Sequence, residues 1–180
     1  MLLSTTKSAS LLNNIVGKSA SVSIGTNGAC YLALFTTMPS DSGTGYVEVS
    51  ANYTHYSRER IDTIMNTTYQ SHALSEASAT SHSRRIGNAD DIMFGQAYNP
   101  DNPDATTGAD WGTLVGWGLF SVSTVGSGDP YAWGLLGERD ANGDFVPEAV
   151  TISTHDVFLF RKGCFELYIE DGDVQASAAV

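Results

Sequence analysis

The hydrophobic and polar positions change their period once along the chain, close to Gly17. Before this residue, apolar side chains recur at the spacing of one helix face: Leu11, Leu12, Ile15 and Val16. Ser4 or Thr5 can cap the start of a helix, and Gly17 can take the left-handed conformation that ends one. The pattern predicts one short N-terminal α-helix, whose apolar stripe packs on a sheet or on a neighbouring subunit.

After Gly17, short apolar runs alternate with turns rich in Gly, Ser, Asp and Pro, which is typical of a mainly β protein. Residues 29–36 are apolar almost without interruption and predict a central strand covered on both faces. Residues 53–64 alternate and predict a strand with Tyr56 and Arg58 on a side that is wet or paired with partner groups. Further strands are predicted at 46–50, 92–94, 113–122, 131–136, 149–153, 157–160 and 164–170.

The spacing of these strands predicts the fold class. Several short strands separated by turns at regular intervals favour a single-domain antiparallel β-sandwich or jelly-roll-like fold. Asn142 and Gly143 both tolerate positive φ, so this pair predicts a hairpin turn within the second half of the chain.

The predicted domain occupies residues 19–173, between an N-terminal helix or arm at 1–18 and a C-terminal tail at 174–180 without predicted structure. It carries long loops at 66–87 and 97–110. The first of these is rich in Ser, Ala, Thr and His, and it predicts an exposed arm or long hairpin. The second has the turn chemistry of repeated Asn, Pro and Asp.

Composition narrows the possible partners. The chain has 180 residues, which fits one domain, and a formal net charge of −11, which repels the phosphate backbone of nucleic acids. No window reaches the ~20 apolar residues of a membrane span, and the N-terminus lacks a charged-then-apolar signal peptide. We therefore expect neither nucleic acid nor a membrane as partner, and we expect synthesis and retention in a cytoplasm until assembly.

Catalytic and metal-binding patterns are missing from the sequence. Its two cysteines cannot form a zinc site alone, and its histidines lack an HExxH spacing. The serines lack a Gly-x-Ser-x-Gly elbow. Asp140, Asn142 and Asp144 resemble the start of a calcium loop but lack its residue order and its distal Glu. We predict that the protein is not an enzyme and has no cofactor, metal site or catalytic residue.

The tryptophans leave two interpretations open. Trp111, Trp117 and Trp133 lie in or beside Gly-flanked apolar runs, where large aromatic side chains usually belong to the core. Exposed tryptophans could instead stack on sugar rings, as in an adhesin module. Trp111 follows a polar loop and is the one that we expect to be exposed.

Several short motifs in a fixed order resemble a known family. They are Leu32-Ala33-Leu34-Phe35-Thr36-Thr37, Gly43-Thr44-Gly45 with Val47-Glu48-Val49-Ser50, Tyr56-Ser57-Arg58, Trp111-Gly112-Thr113, Trp117-Gly118-Leu119-Phe120 and Ala132-Trp133-Gly134. In this order they resemble the small virion proteins of tailed bacteriophages and prophages that are often labelled tail-fibre-like. The family has Gly-Gly-x-Tyr-x-Arg where this chain reads Ala51 to Arg58, and the stretches 66–87 and 97–109 are longer here. The resemblance implies a structural role in a virion, without catalytic residues.

Two virion roles compete. A tail fibre usually has a trimeric shaft with heptads, triple-β repeats or a collagen-like stretch, and these are missing from the chain. A capsid decoration, or cement, protein needs only a compact β domain and self-association around a symmetry axis. We therefore expect a capsid decoration protein that stabilises the head, with a tail-fibre or tail-associated protein of host attachment as the alternative.

The expected partners are further copies of this chain, in a trimer by preference, and the major capsid protein or tail proteins. Candidate assembly contacts come from the predicted helix, from the two long loops and from the tryptophan expected to be exposed. They are Leu11, Leu12, Ile15, Val16, Arg84, Arg85, Asp101, Asp104 and Trp111.

Overall fold

The computed structural model describes residues 29–52, 54–61, 84–104, 106–141, 144–170 and 173–179. Their regular structure consists of β-strands, and the fold is mainly antiparallel. The strands are β1 Tyr31–Thr37, β2 Val47–Glu48, β3 Glu59–Arg60, β4 Arg84–Gly87, β5 Ile92–Gln96, β6 Gly112–Leu114, β7 Gly116–Phe120, β8 Ala132–Arg139, β9 Phe145–Pro147, β10 Val150–Ile152, β11 Val157–Phe160, β12 Phe165–Glu170 and β13 Asp173–Ala179. The helix predicted before Gly17 and most of the predicted 66–87 loop lie outside the described residues.

Nine strands form the main sheet, in the order β2-β1-β7-β8-β13-β12-β4 with β3 beside β1 and β9 beside β8. The β13–β8 pair is parallel and the other pairs are antiparallel. Two separate ribbons complete the fold, one formed by β6 and β10 and the other by β5 and β11. A mainly β, antiparallel domain was predicted, and this part of the prediction is confirmed.

The central strand β1 shows why the sheet has two apolar faces. It pairs with β7 on one edge and with β2 and β3 on the other. Alternate side chains of a strand point to opposite faces, so Leu32 and Leu34 enter one cluster while Ala33 and Phe35 enter another. The prediction of a central strand covered on both faces is confirmed.

One face of the main sheet, here called the core face, packs against both ribbons. Its side chains share one buried cluster with ribbon residues such as Phe94, Phe158 and Ile152. Aromatic rings connect the layers: Trp117 lies edge-on to Phe165 at 5.0 Å between ring centroids, and Phe165 lies 5.4 Å from Phe160. Burial of these large side chains is the main apolar contribution to the stability of the fold.

The opposite side of β1, β7 and β8, here called the outer face, is built differently. A Cβ atom added to Gly118 would overlap the Phe35 ring, and one added to Gly116 would overlap Met38 and approach the Gly134 carbonyl oxygen at 2.6 Å. The glycines of β7 therefore let side chains from β1 and its following loop lie directly on the sheet. Phe35, Phe120 and Tyr46 complete a thin aromatic layer there.

Three strand predictions need correction. The predicted strand 113–122 is two strands, because Val115 donates its N–H to Phe35 at 2.8 Å while its carbonyl accepts from Leu136 at 3.0 Å, between β6 and β7. In the predicted strand 53–64, only β3 is regular among the described residues, since buried side-chain contacts replace ladder pairing over 54–58. The predicted strand 131–136 continues to Arg139, where it pairs with β9.

Two segments predicted to lack regular structure contain strands. The prediction of a C-terminal tail without structure at 174–180 is wrong, because β13 lies between β12 and β8 and pairs with both. Residues 84–87 of the predicted 66–87 loop form β4, the strand at the other end of the sheet, paired with β12. In both cases main-chain pairing with neighbouring strands determines the structure, and the local residue types, small in β13 and basic at the start of β4, have low strand propensity.

Candidate interaction surface

A buried ion pair lies against the aromatic layer of the outer face. The Arg58 guanidinium donates to the Glu48 carboxylate twice, from Nε to Oε1 at 2.8 Å and from Nη2 to Oε2 at 2.7 Å. The two side chains are 0% and 3% exposed. A two-pronged contact of this kind fixes the orientation of both groups, and a buried charge of either sign needs such a partner. The sequence left two alternatives for the side that carries Tyr56 and Arg58, wet or paired with partner groups. The wet alternative is wrong, because both residues are buried, and Arg58 is paired with Glu48 of the same chain.

The remaining contacts of Arg58 connect this pair to β7 and to the connection that follows it. Nη1 donates to the Val122 carbonyl oxygen at 2.9 Å. The guanidinium carbon lies 3.6 Å from the centre of the Phe120 ring, which is a cation–π contact. Arg58 thus holds both an aromatic side chain of the outer face and the main chain just beyond it.

Tyr56 joins the ion pair to the central strand. Its hydroxyl accepts the Leu34 N–H at 2.8 Å and donates to Glu48 Oε1 at 3.3 Å. It occupies the stretch of the β1 edge between the parts that pair with β2 and with β3, where its hydroxyl binds the Leu34 N–H and the Val49 N–H binds the Leu34 carbonyl oxygen. Burial, and next the negative charge of Glu48, raise the pKa of Tyr56 well above its ordinary value, so the phenol stays protonated and donates.

Three side chains from 46–58, here called the clamp, hold the 121–130 connection by its main chain. They are Tyr46, Glu48 and Arg58. Besides the Val122 contact, Glu48 Oε2 accepts the Gly126 N–H at 2.8 Å, and the Tyr46 hydroxyl donates to the Gly128 carbonyl oxygen at 2.6 Å. Burial raises the pKa of the Tyr46 hydroxyl, which the Arg58 charge opposes. The clamp therefore fixes one exposed connection against one edge of the main sheet.

A groove of about 540 Å³ lies where the clamp joins these two segments. One continuous stretch, residues 46–52, forms most of its lining, and Val125 and Gly126 form the rest. The Val47 side chain is 51% exposed beside it, and Ser50, Ala51 and Asn52 are exposed as well. The groove combines an open strand edge with a fixed second wall, which is an arrangement suited to binding another molecule.

The tryptophans do not form an exposed aromatic platform. Trp111, which was expected to be exposed, is 4% exposed: its indole N–H donates to the Thr54 carbonyl oxygen at 2.9 Å, and its ring lies edge-on to Tyr56 at 5.3 Å. Trp117 is fully buried. Trp133 is half-buried and packs against the outer-face cluster beneath Gly43. Burial of the first two disfavours the interpretation that tryptophans stack on sugars.

The other predicted assembly contacts are distributed over several parts of the chain. Asp101 and Asp104 are exposed in the connection between β5 and β6, where Asn99 Oδ1 accepts the Asp101 N–H at 2.9 Å. Arg84 and Arg85 lie in the paired strand β4 and not in a loop, in register with Ile169 and Tyr168 of β12. Leu11, Leu12, Ile15 and Val16 lie outside the described residues. Trp111 is buried, so it is no longer a candidate surface contact. The remaining members stay predictions.

Sequence reasoning missed the clamp, although two of its members lie in motifs that carried the family resemblance. Glu48 belongs to the Val47 to Ser50 motif and Arg58 to the Tyr56 to Arg58 motif. The usable signal was an Arg in a segment with aromatic neighbours, since a buried Arg requires a carboxylate within reach. The nine residues between the two partners separate them in the sequence, so no local pattern connects them.

The structure also bears on metal and membrane sites. Within the described ranges, no group of three or more His, Cys, Asp or Glu side chains is placed to hold a metal ion. Among those same residues, none forms a helix long and apolar enough to cross a membrane. Cys30 and Cys164 are not in a disulfide, and Cys30 Sγ lies 2.7 Å from the Tyr131 hydroxyl.

Comparison with protein-family models gives a match that covers most of the chain. The family model described as Podophage GP4 fiber I protein gp80 matches residues 2–144, which is most of the chain. The match includes the clamp, the groove and the strands from β1 to β8. No curated protein and no solved structure matches the chain significantly.

Proposed function

The chain belongs to the podophage GP4 fiber I protein gp80 family, and from this premise we propose that it is a structural subunit of the tail-fibre apparatus of a tailed phage. The observation that carries this proposal is the family match over residues 2–144. A fibre-type virion protein was the alternative in the sequence analysis, and the family description favours it over the capsid decoration protein that the sequence analysis preferred.

The fold is compatible with such a subunit. A large aromatic core lies between the main sheet and the ribbons, and the clamp fixes an exposed connection on the other side. We propose that these layers form a β-sandwich, with the main sheet as one layer and the two ribbons as the other. A rigid small domain of this kind can transmit force between neighbours without a conformational change.

We further propose that the protein is non-enzymatic, acts in the virion after assembly in the host cytoplasm, and associates with copies of itself and with tail proteins. The fibre description supports a structural role. A trimer stays the preferred oligomer, since fibre-type proteins usually assemble around an axis along their length. Its test is the mass of the purified protein in solution.

The proposed function is tested by counting copies in purified virions. Quantitative mass spectrometry with isotope-labelled peptides gives the ratio of this chain to the major capsid protein. A tail-fibre subunit is expected at a few to a few tens of copies per particle. Near-equal abundance with the shell protein would overturn the fibre assignment and favour the decoration role, and absence from the virion would overturn both.

A further inference from the structure

The edge of β2 has main-chain groups directed into the groove. The Phe35 carbonyl accepts the Val115 N–H at 2.8 Å on the β7 side, so the Phe35 main chain faces away from β2. Glu48 is paired opposite Phe35, while Val49 donates its N–H to Leu34 at 3.1 Å. Successive residues of a strand direct their main-chain groups to opposite edges. The N–H and carbonyl of Glu48, and the N–H of Ser50, therefore face away from β1.

This edge is open in the sheet as well as in its geometry. In the strand order, β2 stands at the end of the main sheet. An unpaired edge is a template for another extended chain, and natural sheets usually protect it with charge, Pro or a covering loop. Here Val47 is 51% exposed, and the charge of Glu48 is turned inward to Arg58. Pro and an outward-facing charge, two of the usual protections, are therefore missing from the described part of this edge, and the 121–130 connection stands across the groove from it.

The second wall of the groove is held in place before any ligand arrives. Glu48 Oε2 binds Gly126, and Tyr46 binds Gly128, so the 121–130 connection stands at a fixed place beside the groove. A preformed site loses less conformational entropy on binding than one that must be ordered. Val47 and Val125 supply apolar contacts on the two sides of the groove.

We propose that this groove binds an extended segment of another virion protein, which adds to β2 as a further strand. The main-chain groups of Glu48 and Ser50 would pair with the segment, and Val47 and Val125 would contact its aliphatic side chains. The chain carries a formal net charge of −11, so the segment that docks is neutral or basic and carries no acidic side chain at the contact. The proposal rests on the virion role proposed above.

The test uses photo-crosslinking in assembled virions. A p-benzoylphenylalanine side chain is placed at Asn52 or Ala51, both exposed in the groove, and at Lys162, an exposed control outside it. The virions are irradiated, and mass spectrometry identifies the joined peptides. We expect both groove positions to join one contiguous segment of a different virion protein, and we expect no such product from Lys162.

Two substitutions at Ser50 test whether main-chain pairing is responsible. Ser50→Pro removes the outward N–H, whereas Ser50→Ala removes only the hydroxyl, which accepts the Asn52 N–H at 3.2 Å. One lost main-chain hydrogen bond weakens binding by roughly twofold to tenfold. We expect the crosslink at Asn52 to fall by about that factor with Ser50→Pro and to be unchanged with Ser50→Ala. Thermal unfolding of both purified variants verifies that each is folded.

The outcomes separate this inference from the function on which it rests. Absence of the protein from wild-type virions would overturn the proposed function. With the protein present, the inference is overturned by groove positions that crosslink no more than Lys162, or by Ser50→Pro crosslinking as well as Ser50→Ala. Crosslinks to a second copy, or to residues 1–28 or 62–83 of the same chain, also overturn it, because the occupant is then not a different virion protein.

Discussion

The two faces of the main sheet are stabilised in different ways. The core face buries large apolar side chains such as Leu34, Trp117 and Phe165 against two ribbons. The outer face has a thin aromatic layer on glycines, and behind it lies the ion pair of Glu48 and Arg58. Many apolar contacts stabilise the core face, whereas a few specific polar contacts stabilise the outer face. The groove lies on the outer face, so the surface proposed for binding depends on the face that fewer contacts stabilise.

This difference affects how each face responds to substitution. In a packed core, a changed apolar side chain loses area and leaves a cavity in proportion to its size. In a buried polar cluster, removal of one partner leaves the other charge without compensation. Single substitutions in the clamp are therefore expected to cost more than their contact area implies.

The largest effect is expected from Arg58→Met. This change keeps much of the apolar stem but leaves the Glu48 carboxylate buried with the Tyr56 hydroxyl and the Gly126 N–H as its remaining donors. Loss of one member of a buried pair costs about 3–5 kcal/mol of the free energy of unfolding. Urea unfolding of the purified protein, followed by far-UV circular dichroism, measures this change.

The matched control is the double variant Glu48→Gln with Arg58→Met. It removes both charges, so it should recover a substantial part of the stability that the single change loses. A loss below about 1 kcal/mol for Arg58→Met alone would contradict the importance of the clamp.

A second test is directed at the glycine-aromatic packing of the outer face. Gly118→Ala places a Cβ atom into the Phe35 ring, which must shift to make room. Overpacking of this kind costs up to about 3 kcal/mol. If a smaller side chain is introduced at the same time by Phe35→Leu, the added cost of Gly118→Ala should decrease. Chemical denaturation of the four members of this cycle measures the coupling, and strict additivity would argue against the close packing.

A third test concerns Trp111 on the ribbon side of the core. Trp111→Phe removes the indole N–H that binds the Thr54 carbonyl oxygen at 2.9 Å, and the loss is expected to be about 1–2 kcal/mol. Because the ring is buried, virions that carry the folded variant should attach to host cells to the same extent as wild-type virions. An unchanged free energy of unfolding together with a loss of attachment would contradict the burial of Trp111 and would favour an exposed tryptophan at this position.

The smallest expected effect is a fall in the free energy of unfolding at alkaline pH, caused by the buried phenol of Tyr56. The folded protein holds the Tyr56 proton above the ordinary pKa of 10.0, whereas the unfolded chain releases it near that value. Within that window the folded state binds more protons, so the free energy of unfolding falls as pH rises above about 10. Tyr56→Phe should flatten this decline. Tyr46→Phe should flatten it less, because the pKa of Tyr46 is raised to a smaller extent. Equal slopes for the wild type and Tyr56→Phe would contradict the buried phenol.

Sequence reasoning predicted the core face well and the outer face poorly. The apolar run at β1 and the short strands after Gly112 follow local patterns, which is why a mainly β antiparallel fold could be predicted. The Glu48 to Arg58 pair joins segments separated by a turn, and alternation alone left open whether the side of Arg58 was wet or paired. The small residues of β13 have low strand propensity, and their place in the sheet depends on pairing with β8 and β12.

The central claim, that this chain is a fibre-type subunit of the virion, is tested most directly by locating it in the particle. Electron cryomicroscopy of wild-type virions, and of virions whose copy of this chain carries a small domain inserted between the exposed residues Asp140 and Asp144, would mark its position. The account predicts additional density on the tail or on appendages attached to it. Additional density arranged over the lattice of the capsid shell would contradict it.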